Sequence, residues 1–64
     1  MTLEKARQLL ATQASFGSGY NRNGARLILA EVAKEHGQAE VDRLIRELSL
    51  DSIFGIVAGT SFVQ

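Results

Sequence analysis

The chain has 64 residues, with seven basic and seven acidic side chains, one histidine, and neither cysteine nor proline. Without cysteine it can form no disulfide and no thiolate metal site, and His36 alone cannot build a structural zinc centre. A chain of this size buries only about 60% of the surface its unfolded form exposes, so it must rely on good helix packing or on self-association.

A first helix is expected over about residues 2–15. The Thr2 hydroxyl can cap the first free N–H groups, and Glu4 is well placed for the helix dipole. Leu3, Ala6, Leu10 and Ala14 recur at i, i+3, i+7 and i+11, which gives one apolar stripe. Gly17 and Gly19 then end the helix. The stretch that follows, Phe16-Gly17-Ser18-Gly19-Tyr20-Asn21-Arg22-Asn23-Gly24-Ala25-Arg26, holds three of the six glycines and two of the four aromatics. Free backbone, flat rings and guanidinium groups in one short loop point to a recognition surface. Phe16, Tyr20, Arg22 and Arg26 are its expected contact residues.

A second helix is expected over about 24–36, with Asn23 as cap and Gly37 as a left-handed stop. Its run Leu27-Ile28-Leu29-Ala30 wraps more than one side, which favours some burial between molecules. A third helix follows over about 38–49. Val41, Leu44, Ile45 and Leu48 form its apolar face, and Asp42–Arg46 and Arg43–Glu47 are spaced for i, i+4 pairing on the other. The turn through Gly37 is short, so these two helices should pack as neighbours.

The segment 51–64 is the second informative feature. Asp51 can cap a short turn closed by Gly55, and beyond Asp51 no charged side chain occurs. Ile53, Phe54, Ile56, Val57, Phe62 and Val63 crowd this stretch, and an apolar segment of that length must be covered. It can fold back over the bundle, exchange between two copies, or dock on another protein. Leu27, Leu29, Ile53, Phe54, Ile56, Val57 and Phe62 are the expected association surface. The fold class expected is all-α: a small three-helix bundle with a short apolar C-terminal extension, as a homodimer.

Charge is unevenly placed. Residues 1–26 carry four basic side chains against Glu4 alone, while residues 27–64 carry three basic against six acidic. Such asymmetry suits an anionic partner at one end or complementary ends of two copies. Met1 runs straight into the charged stretch Thr2–Arg7, so no secretory leader is expected. No apolar stretch approaches the roughly 18–20 residues that span a bilayer. The expected location is the cytoplasm.

Catalytic chemistry finds little footing. Gly17-Ser18-Gly19 precedes a helix, but no strand comes before it and no Gly-Lys-Ser/Thr follows, so it matches neither phosphate-loop nor dinucleotide spacing. A weaker reading has Arg22, Arg26 and the helix start holding a partner's phosphate or carboxylate. His36 is expected to face solvent at the carbonyl end of its helix, and Glu31 and Glu35 to lie on a solvated face with Lys34. No serine has an identifiable companion base. The expectation is therefore a non-enzyme with no cofactor and no metal, binding an unidentified protein partner.

The alternative is a small nucleic-acid-binding regulator using Arg22, Arg26 and the loop aromatics to stack on bases. A helix-turn-helix reading of the last two helices meets obstacles in Gln38 and Arg43, which occupy positions needing apolar residues. Glu40, Asp42 and Glu47 would face phosphates badly. Taken together, Gly19-Tyr20, a second helix and Glu40-Val41-Asp42-Arg43-Leu44-Ile45 resemble in shape the ubiquitin-associated type of three-helix domain. The family's alanine beside the loop falls one place out of register here, at Ala25, and Arg43 stands for its tryptophan. The resemblance spans roughly residues 3–48 and implies a protein-binding module using Gly19-Tyr20 and the end of the third helix.

Overall fold

The structure, a computed structural model, describes residues 1–17 and 21–62. Four helices are present in it: α1 (Leu3–Ser15), α2 (Arg22–His36), α3 (Gln38–Leu48) and α4 (Leu50–Phe54). Among the described residues there is no strand, and the fold is all-α.

Local chemistry sets the ends of these helices. Thr2, in extended conformation, accepts the Lys5 N–H at 3.1 Å on its hydroxyl oxygen and caps α1 as expected. The start of α2 differs. It begins at Arg22, two residues before the expected start, because Asn21 rather than Asn23 precedes it, in the left-handed region (φ 49°, ψ 42°). Asn21 makes no side-chain cap; its carbonyl accepts the Ala25 N–H at 3.1 Å. Asparagine is among the few non-glycine residues that tolerate this conformation. Gly37 also departs from expectation: its φ of 95° is positive, but ψ is 168°, so it is not a left-handed helical stop.

The third helix ends at Leu48 rather than Ser49. Ser49 turns left-handed (φ 55°) and starts α4, and Asp51 falls inside the first turn instead of capping it. Its carboxylate accepts the Ser52 N–H at 2.9 Å.

The core is built from Ala6 and Leu10 of α1, Ala25, Leu29, Val32 and Ala33 of α2, Val41, Leu44 and Ile45 of α3, Leu50 and Phe54 of α4, and Ile56 beyond it. These are the stripes that the helical spacing predicts, with Leu3, Ala14 and Leu48 packed at the margin. Helix α2 packs on both α1 and α3, while α4 reaches α3 and α1. The apolar extension therefore folds back and supplies core side chains. An accessible surface of 3931 Å² agrees with this, being close to the roughly 4,000 Å² of a folded monomer of this mass. No helix is long and apolar enough to cross a membrane among the described residues.

Candidate interaction surface

Of the four residues expected to form the recognition loop, three lie among the described residues. Phe16 caps the end of α1 and is 63% exposed. Tyr20 lies outside the described residues. Arg22 and Arg26 are one turn apart at the start of α2 and lean toward the C-terminal segment instead. The Arg26 guanidinium stands 5.3 Å from the centre of the Phe62 ring. The Arg22 Nη2 lies 3.8 Å from where a side-chain carbon on Gly55 would sit.

The expected association surface also divides. Leu29, Phe54 and Ile56 are buried in the chain's own core and in the folded chain offer no surface to a second molecule. The reason is geometric for Leu29, which shares the inward face of α2 with Ala25, Val32 and Ala33. For Phe54 and Ile56 it is the return of the chain over the bundle. Ile53 and Phe62 are half-buried against the core. Leu27 and Val57 are 72% and 58% exposed. Leu27 is two residues from both Ala25 and Leu29, so the 100° helical step turns it away from the core.

The C-terminal segment is seated by polar contacts as well as by Ile56. The Val57 carbonyl accepts the Thr60 N–H at 3.2 Å, closing a β-turn whose third residue, Gly59, has φ 92°. Glycine takes that conformation at little cost, and other residues do not. The turn aims the Gly59 N–H at the Asp42 carboxylate, 2.8 Å away, and the Gln38 side-chain amide donates to the Thr60 carbonyl at 2.9 Å. The same amide donates to Asp42 at 2.9 Å, linking both contacts. The Gly59 N–H, followed by the Gln38 amide, holds the Asp42 carboxyl below its ordinary value. Both side chains come from α3 at i and i+4 and engage backbone atoms of the segment. Sequence spacing paired Asp42 with Arg46 and Arg43 with Glu47. In the fold Asp42 faces Gly59, Glu47 bonds Arg7 of α1 at 3.0 Å, and Arg43 lies 3.8 Å from Glu40.

A second cluster sits at the other flank of α2. The Met1 amino group donates to Glu35 and, at 3.2 Å, to Glu31, and the His36 ring nitrogen is 3.0 Å from the Met1 carbonyl oxygen. The bond to Glu35, then that to Glu31, raises the amine's proton affinity, and the amine in turn lowers that of Glu35. Glu31, Lys34, Glu35 and Met1 line an open depression there. So the two glutamates are ion-paired rather than simply solvated, and His36 has a backbone neighbour. Among the described residues no group of three or more histidines, cysteines or carboxylates is placed to hold a metal ion.

Sequence reasoning missed Gln38 and Asp42 as the residues that seat the segment. The available signal was an uncharged, glycine-containing stretch that could offer a neighbour only peptide groups. Val41, Leu44 and Ile45 are buried, and Gly19-Tyr20, the other element on which the ubiquitin-associated resemblance was drawn, lies outside the described residues. No protein-family model, curated protein or solved structure matches the chain.

Proposed function

We propose that the chain is a small non-enzymatic interaction module that associates with a second copy of itself and serves as an accessory subunit to a protein partner. The observation that carries this reading is the exposure of large apolar side chains. Phe16, Leu27 and Val57 are each more than half exposed, against a buried core of twelve residues among those described. Isolated apolar side chains are common on protein surfaces, and we take these three as the ones that association would cover. The dimer contact runs through Leu27 on the outward face of α2, with Phe16 and the adjoining loop as the surface for the partner.

The reading as a non-enzyme rests on the sequence, in which no serine has an identifiable companion base. Arg22 and Arg26 lie along the chain's own C-terminal segment, which favours a protein partner over nucleic acid.

Light scattering across a wide concentration range tests this. The wild-type chain is expected to reach the dimer mass, and Leu27→Lys to remain a monomer with an unchanged circular dichroism spectrum. A wild-type chain that is monomeric at every concentration overturns the reading.

A further inference from the structure

We infer that the seat formed by Gln38, Asp42 and Arg26 accepts residues 56–62 of a second copy of this chain, so that two copies can exchange their C-terminal segments. This rests on the homodimer reading above and specifies which surface would complete it.

The seat has the character of a peptide-binding site that is filled in cis. Asp42 accepts a backbone N–H, Gln38 donates to a backbone carbonyl, and Arg26 lies over an aromatic face. Between these points Ile56 enters the core at 1% exposure. The occupant is thus read as an apolar residue, a glycine turn and an aromatic ring, in that order. A surface complementary to its own segment is equally complementary to the same segment of another copy, so a second chain fits it without any new contact. The attachment is a single left-handed residue, Gly55 (φ 72°), which closes α4 immediately before Ile56. If Gly55 extends, the segment leaves its own bundle as one piece. Its apolar side chains and its uncharged backbone then need a cover of the kind just described. Tight connections of this sort are where exchange between protomers occurs.

The test uses full-length chains. Isotopically labelled and unlabelled protein are mixed, unfolded and refolded together, and nuclear Overhauser effects between the Phe62 ring and the Arg26 side chain are sorted into those within and those between chains. Contacts between chains are expected in the wild type. Replacing Gly55→Val, which disfavours the left-handed hinge without touching the seat, should raise the exchanged fraction by about tenfold. Contacts found only within chains in the wild type overturn the inference, whether or not the Gly55 variant folds. Light scattering on the same sample separates the two readings. A dimer with its segments in cis removes exchange and leaves self-association standing, whereas a monomer removes self-association itself.

Discussion

Arg26 and Phe62 meet face to charge: the guanidinium carbon is 5.3 Å from the ring centre, joining the N-terminal part of α2 to the far end of the described C-terminal segment. The ring's negative face attracts the cation, and at an exposed site such a contact contributes about 0.5–1 kcal/mol. Arg26→Met, which keeps the aliphatic stem, should therefore lower Tm by about 2–8 °C for a domain of this size. In a double-mutant cycle with Phe62→Leu the two losses should be non-additive. Full additivity in guanidinium denaturation would mean that the pair is not coupled.

Leu27 and Leu29 stand two residues apart and should respond oppositely. Leu29 is fully buried and Leu27 is 72% exposed. Leu29→Ala should cost about 2–5 kcal/mol, which matches the whole stability expected of so small a core, so the variant should be largely unfolded by circular dichroism. Leu27→Ala should stay within about 0.5 kcal/mol of wild type when measured on dilute monomer. Equal losses at the two positions would contradict the assignment of faces.

These two leucines also show how far the sequence could be read. The spacing of Leu3, Ala6, Leu10 and Ala14, and of Val41, Leu44, Ile45 and Leu48, marks the inward faces of α1 and α3, because a 3.6-residue period is written directly into the order of side chains. The run Leu27-Ile28-Leu29-Ala30 carries no such phase, and its inward residue emerges only from packing on both neighbours. Asn21 and Ser49 were not legible as left-handed entries to helices, since nothing in their composition distinguishes them from Asn23 or Asp51 as caps. The meetings of Arg26 with Phe62 and of Asp42 with Gly59 are tertiary. With the chain turned back over the bundle, Asp42 accepts the Gly59 N–H, and Arg46 at i+4 acts on it as a nearby charge.

Asp42 should give the fold an acid-sensitive contact. Its carboxyl is held below the ordinary aspartate value of 3.8 by the Gly59 N–H and then by the Gln38 amide. A depressed folded value means that the contribution is fully present above about pH 3.8 and is lost as pH falls through the lower folded value. The Gly59 amide proton should therefore shift as the pH is lowered below about 3.8, in step with the loosening of the segment. In Asp42→Asn, whose side-chain oxygen can still accept the bond, the shift should be flat. A wild-type Gly59 resonance indifferent to acid would show that the carboxylate does not hold the turn.

Ser49 offers a route to a more stable chain. It occupies the left-handed region at φ 55°, where a β-carbon costs roughly 1–2 kcal/mol. Glycine removes that cost and gives back about 0.5–1 kcal/mol through the greater freedom of the unfolded chain. Ser49→Gly should thus gain up to about 1 kcal/mol, raising Tm by as much as about 4–8 °C. A fall in the denaturation midpoint would indicate that the serine side chain contributes more than its backbone strain removes.

Because Asp42 and Gln38 grip only peptide N–H and C=O groups, the segment they seat is free to change its outward appearance. Val57 and Ser61 project between fixed points at Ile56, Gly59 and Phe62, and nothing in the grip depends on what those two side chains are. The anchors thus belong to the fold, while the intervening positions are free of it. Randomising residues 57 and 61 together would vary the molecule's outer identity while leaving its interior as it is.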